Sequence, residues 1–392
     1  MQTLVENVAA WLVGDGPEAG VAVACQCTLV RNLADFVFPA RCSDEEKRSI
    51  EQRVNAVLAG LGLFESGSYC SLADLEADQV RFLAERRLIP AELVTASGPR
   101  GAYISADQGT TIAVNGSDHL CLTMTGSGLQ IQDLWTQVNL LDDNIGRSLD
   151  YAFSERFGYL TASLGHTGTG LKVSAILHLP ALTLSNRVQG LVASARARGQ
   201  AVYGFKPTLS GTASGSSAQA SDLDLEETAS EEGGYAGRAF YSDLSGATYG
   251  DIGEAYGDLY LLTNLATLGA SEEEIVFRLR QGATGIIAQE KKARDALRRE
   301  KPRQLEDQVA RALGLARNVR LLGFDEGVSL LSALRLGVTT GLIEGYSLQD
   351  ANELLLASQA AHIRMRIGPD CDEWALSAAR ADLFRARFSQ EV

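Results

Sequence analysis

Few residues in this chain have the type and spacing for chemistry. Ser117-Asp118-His119 follows the short apolar run TTIAV (110–114) and precedes LCLTMT (120–125). A carboxylate beside an imidazole at a strand end can work as an acid–base pair. Such a pair can equally be kept for hydrogen bonding alone, and that reading is favoured here. Gly165-His166-Thr167-Gly168-Thr169-Gly170 is a glycine-rich loop. Glycines let a backbone approach a phosphate closely, but the motif is weak evidence alone. Cys25-x-Cys27 has no second ligand pair beside it, so the six scattered cysteines support neither a structural zinc site nor a disulfide framework.

These residues must be positioned by regular elements. VAVACQCTLVRNL (21–33) reads as a strand running into a loop. Ser43-Asp44-Glu45-Glu46 reads as a capping box. Behind it Ile50, Val54, Val57, Leu58 and Leu61 recur at helical spacing. Residues 74–88 predict a second helix, and three short strands follow over 102–106, 110–114 and 120–125. Leu129 to Phe157 reads as one long amphipathic helix, and Lys172 to Leu179 as a strand. Residues 205–245 are small, polar and acidic without periodicity, which suggests a flexible insertion. After DLYLLTNLATLG (258–269), Ser271 caps a helix, and the pattern stays helical to the end. The basic run KKARDALRREKPR (291–303) reads as a solvated helix face. The expected architecture is α+β: a sheet-rich region over 21–286 after an N-terminal segment 1–20, then an all-α domain over 287–392.

Bulk composition narrows the function. The chain has 392 residues, 45% of them hydrophobic and 21% charged, enough for a packed core in two or three domains. The net charge of −14 argues against sequence-independent nucleic-acid binding, which needs clustered Lys and Arg. It leaves open ATP binding, which depends on local positive charge. Neither a signal peptide nor an apolar run of roughly 20 residues is present, so no membrane association is expected and the cytoplasm is the expected location.

The order of segments resembles one family. LLDDNIGRSLDYAFSERFGYLTASLGHTGTGLKVSAILHLPAL (140–182), VRNLADFVFPA (30–40), NGSDHL (115–120) and LTNLATLGASEEEI (262–275) are similar to the phosphagen (guanidino) kinases. LLSALRLGVTTGLI (330–343) and SQAAHI (358–363) resemble the helical C-terminal domain of the bacterial protein-arginine kinase branch. Small-molecule phosphagen kinases carry instead an N-terminal helical domain, for which the sequence before Val21 is too short. The resemblance implies a curved antiparallel sheet flanked by helices, ATP with Mg²⁺ as phosphoryl donor, and a guanidinium as acceptor. It also implies a homodimer and protein partners: an arginine kinase, a zinc-binding adaptor or a protease–chaperone machine.

The same register implies a damaged active site. The guanidinium is a poor nucleophile until a carboxylate orients it and takes a proton, and the phosphates need preorganised cations. The family's phosphate-binding Arg positions fall on Gln26, Thr28, Cys121, Lys172 and Gly246; only Lys172 keeps a charge. A His near the nucleotide becomes Arg87. The catalytic Glu becomes Ser117 and the reactive Cys becomes Ser163, while the second Glu is retained as Glu254, together with Asp118 and His119. In the C-terminal domain, the phosphoarginine motif R-D-x-x-R-A falls on Leu376 to Ala381 and keeps only Arg380 and Ala381.

Three functions remain in play. The favoured one is a pseudokinase with a regulatory or partner-binding role. The alternative is a working ATP:guanido phosphotransferase on protein arginine. It would use Glu254, Asp118 or Asp251 for the guanidinium and Lys172, Arg31 and Arg87 for the phosphates, with Gly168 and Thr169 as a residual nucleotide loop. A third reading reuses the cleft for another ligand, with Cys25, Cys27 and Cys121 lining it.

Overall fold

The computed structural model describes Leu4, residues 7–205 and residues 255–389. Its centre is an eight-stranded antiparallel sheet. In chain order the strands are β1 (Ala22–Arg31), β2 (Gly67–Ser71), β3 (Gly101–Ser105), β4 (Thr110–Val114), β5 (Leu120–Ser127), then the two-residue β6 (Phe153–Ser154) and β7 (Gly158–Tyr159), β8 (Leu171–His178), β9 (Gln200–Gly204) and β10 (Leu259–Asn264). The sheet order is β2-β3-β4-β5-β1-β8-β10-β9, and β6 and β7 form a separate hairpin.

Alternation along the strands sorts side chains onto two faces. On one face Cys25, Cys27 and Leu29 of β1 join Val173 and Ala175 of β8 in the main core. That core is closed by α1 (Asp44–Gly60), α3 (Ile131–Gly146) and α6 (Glu272–Glu300). The Ser43 capping box forms, with Ser43 Oγ accepting from the Glu46 amide. Ile50, Val54 and Leu58 are buried, while Leu61 follows the helix and is exposed.

Among the described residues the opposite face is covered at its two ends. At one end Ala24, Ile176 and Leu261 pack against the C-terminal helices α7 (Pro302–Asn318), α8 (Phe324–Thr340), α9 (Leu348–Ala357) and α11 (Glu373–Phe388). Trp11 and Leu12 of the N-terminal segment join this second core. At the other end Ala102, Ile104 and Ala113 pack under Val80, Phe82 and Leu83 of α2 (Ala77–Glu85), with Ala361 of α10 (Ala360–Ile367). Between these two apolar patches the strands present polar side chains, and the candidate site lies there.

Two sequence expectations fail here for stated reasons. The helix expected over Leu129–Phe157 ends at Gly146. Beyond it the backbone is captured by the loop after β1: Ala34 donates to Asp150 O and Ala152 donates to Asn32 O. Tyr151 and Phe153 then pack edge-on against Tyr159 of the hairpin rather than on a helix face. The basic run 291–303 is not uniformly solvated. Arg294 is buried, 2.7 Å from Glu290, whose two carboxylate oxygens accept from the Ala181 and Leu182 amides. Arg294 also donates to Gly20 O and His178 O, tying α6 to the segment before β1 and to the end of β8. The helix α6 runs through the expected boundary at 286/287. All but the first residue of the expected insertion 205–245 lies outside the described residues.

Candidate active site

The polar strip is built by cross-strand rows. Thr263, Ser174, Gln26 and Thr125 form one row, and Lys172, Thr28, Thr123 and Thr111 the next. Two neutral pairs bond across the strands. Gln26 Nε2 donates to Thr125 Oγ1 at 3.2 Å, and the Thr28 and Thr123 hydroxyls are 3.1 Å apart.

Above this strip lies a cleft of about 420 Å³. Its walls include Thr28, Glu92, Ser117, Asp118, Cys121 and Lys172, and the loop Ala162 to His166 forms its rim. Ser117, Asp118, Ser163 and Lys172, which lie far apart in sequence, therefore share one cavity. Arg87 sits beside it, with Nη2 3.4 Å from Gln26 Oε1 and its guanidinium 5.4 Å from the Phe205 ring. Glu254, Asp251 and Gly246 lie outside the described residues.

Asp118 holds the rim. Its Oδ1 accepts from Asn32 Nδ2 at 2.5 Å and from the Ala162 amide at 2.6 Å, which fixes the loop carrying Ser163. Burial pushes the Asp118 carboxyl up, against the lowering effect of these two bonds. Glu92 is raised for the same reason, with Lys172 opposing, and among the described residues its Oε2 is buried without a hydrogen-bond partner. Burial lowers the Lys172 ammonium, and Glu92 partly offsets this. On the rim, burial and Lys172 bring His166 down to about 4, so it is neutral at physiological pH.

His119 points away from the cleft and is structural. Its Nδ1 accepts from the Leu33 amide, and Nε2 donates to Val37 O at 2.9 Å. Burial lowers it to about 4, below its ordinary 6.5. As pH falls the unfolded chain binds this proton first. The contribution of His119 is therefore full above pH 6.5 and declines toward pH 4, by up to about 1.4 kcal/mol per pH unit. Urea midpoints measured across this range should fall with pH, and His119→Asn should flatten the fall.

Three expected site residues lie elsewhere. Arg31 is no phosphate ligand, because its guanidinium is consumed inside the protein. Nε and Nη2 reach Asp142 Oδ2 at 3.0 and 2.6 Å, and Nη1 donates to Val30 O and Thr169 O. The group also lies 3.6 Å from the centre of the Tyr159 ring. Thr169 is buried, with Oγ1 accepting from the Leu171 amide. Gly168 pairs with Tyr159 in the hairpin. Its φ of +115° and the position of Thr267 O, 2.5 Å from where a Cβ would stand, explain the glycine. Gly170, at φ +67°, likewise abuts Val30 O and Arg31 Nη1. The glycine cluster thus serves close packing, and only Gly165 and His166 reach the cleft. Cys25 and Cys27 are also on the core face, so of the three cysteines only Cys121 lines the cleft. Glu92 was not foreseen: it lies in the single turn Ala91–Val94, which has no periodicity to mark it.

Family comparisons place this arrangement. The ATP:guanido phosphotransferase C-terminal catalytic domain matches residues 49–222 and 245–293. The chain belongs to the ATP:guanido phosphotransferase family. The protein-arginine kinase McsB C-terminal domain matches residues 302–391, which corresponds to the helical half. A protein-arginine kinase from Symbiobacterium thermophilum is 31% identical over 382 residues, spanning 97% of this chain and 96% of the relative. One from Pelotomaculum thermopropionicum is 30% identical over 385 residues, 97% and 95% of the two chains. Solved phosphagen kinases share the fold. Lombricine kinase superposes with a TM-score of 0.53 at 21% identity, over 74% of this chain and 70% of that one. Taurocyamine kinase from Schistosoma mansoni gives 0.53 at 19% identity, over 71% and 34%. In this family ATP is the phosphoryl donor. The match to the catalytic domain begins after β1, the strand that carries Gln26 and Thr28. Among the described residues no helix is long and apolar enough to cross a membrane.

Proposed function

We propose that this chain is a protein-arginine-kinase homologue with little or no phosphoryl transfer, acting as a regulatory or partner-binding pseudokinase. One observation carries the reading. Gln26 and Thr28 stand at the family's phosphate-binding Arg positions and hydrogen-bond to Thr125 and Thr123 instead. Among the described residues the cleft and its edge offer two cations, Lys172 and Arg87, against two carboxylates, Glu92 and Asp118. That set does not fit Mg·ATP, whose phosphates need surplus positive charge. Ser117, at the position of the catalytic Glu, cannot take a proton from a guanidinium. The partners this reading favours are a genuine arginine kinase, a zinc-binding adaptor or a protease–chaperone machine, met in the cytoplasm.

The rival reading is an active ATP:guanido phosphotransferase on protein arginine, and the names of the relatives favour it. Its guanidinium carboxylate would be Glu254. The two separate on one assay: the protein with Mg·ATP and an arginine-rich unfolded protein, probed for acid-labile phosphoarginine. No signal above the enzyme-free background is expected. A clear signal abolished by Glu254→Gln would refute the pseudokinase reading.

A further inference from the structure

A second cavity, also about 420 Å³, shares no lining residue with the cleft. It is enclosed by the N-terminal segment, the end of α2, and helices α9, α10 and α11. Its polar groups are Asn7, Arg86, Glu353, His362, Arg366 and Arg387, set among Leu12, Leu354 and Leu383.

The charges divide into a settled pair and an unsettled one. Arg387 is neutralised by Asp350 at 2.6 Å and Glu353 at 2.9 Å. Arg86 and Arg366 have no carboxylate within ion-pair distance among the described residues. Arg86 is buried and bonded only to neutral oxygens, those of Gln108 and Asn7, and Arg366 is exposed at the rim. Burial lowers Arg86 to about 10, with the nearby Arg366 guanidinium adding to the shift and Glu353 opposing it. A buried cation facing a second one calls for an anion.

His362 narrows the anion. It is 5% exposed, and its Nδ1 lies 3.0 Å from Glu85 Oε2. A carboxylate only accepts, so Nδ1 carries the hydrogen and Nε2 presents a lone pair. That Nε2 is buried and has no hydrogen-bond partner among the described residues. The cavity therefore asks for one negative charge, a neighbouring N–H or O–H donor, and an apolar body. A phosphate dianion meets Glu353 and an acceptor nitrogen, which suits it poorly. A peptide end suits all three: carboxylate, adjacent amide N–H and terminal side chain.

We propose that this cavity binds the C-terminal carboxylate of a partner polypeptide whose last residue is apolar. Arg86 and Arg366 hold the carboxylate, His362 Nε2 accepts from a backbone amide, and Leu354 and Leu383 receive the terminal side chain. The site is separate from the Leu376–Ala381 position, where Arg380 is buried and donates to Ser358 O and Leu322 O.

The test uses the full chain and fluorescence anisotropy. The probe is a labelled peptide pool, randomised internally and ending in Leu, Val or Ala, made as the free acid and as the C-terminal amide. The acid pool should bind saturably and the amide at least about tenfold more weakly, the loss of one charge-assisted contact. Arg366→Ala, an exposed position that leaves the fold intact, should weaken the acid pool to a similar degree. Absence of saturable binding would overturn the proposal. So would equal affinity of acid and amide, an unchanged Arg366→Ala, or displacement of the peptide by inorganic phosphate at matching concentration.

Discussion

Arg31→Ala should lower the melting temperature by roughly five degrees, the equivalent of about 3–5 kcal/mol in a chain of this size. The side chain is almost fully buried, and so is its partner Asp142. Truncation leaves the Asp142 carboxylate in the protein interior with its counter-charge gone. It also removes donors from Val30 O and Thr169 O and empties the space over the Tyr159 ring. Each loss acts on a different element: β1, the loop before β8, and the β6–β7 hairpin. The double variant Arg31→Met/Asp142→Leu should recover part of the loss, because a matched apolar pair carries no desolvation cost. Thermal denaturation of the three proteins checks this. An unchanged melting point for Arg31→Ala would mean that the guanidinium is free to leave Asp142, and its assignment as a buried strut would fall.

Arg31 also shows where the sequence stops being informative. Its type and place beside an apolar strand suit a phosphate ligand as well as a buried ion pair. What decides is Asp142, 111 residues away on α3, and no local pattern links the two. The elements were legible where the signal is local. The Ser43 and Ser271 caps and the apolar period of α1 depend only on neighbours in sequence. The end of α3 was not, because its apolar period continues past Gly146 while the backbone is taken by residues 32–34. The site was half legible. Strand alternation places Gln26 and Thr28 opposite Cys25 and Cys27, so one pair must face the core and the other the cleft. The apolar cysteines take the core, as burial energetics favour. Glu92 was illegible, since a carboxylate in an irregular turn gains meaning only when Lys172 and Asp118 are brought to it.

Millimolar Mg·ATP should leave the melting temperature unchanged at pH 7.5. A ligand present at a thousandfold excess over its Kd would stabilise the native state by about 4 kcal/mol, a shift of several degrees that is hard to miss. The expectation of none follows from charge. Mg·ATP brings a net negative charge to a cleft where, among the described residues, Glu92 and Asp118 already balance Lys172 and Arg87. The hydroxyls of Thr28 and Thr123 are engaged with each other and add dipoles, not cations. Burial has already raised Glu92 and Asp118, and an anion beside them would raise both further. An anion in the cleft therefore favours the protonated forms of both carboxyls, so any residual affinity should grow as pH falls. A scan from pH 8 to 6 checks the sign. Tight binding that is independent of pH would place the triphosphate on cations other than Lys172 and Arg87, and the charge argument for a pseudokinase would lose its footing.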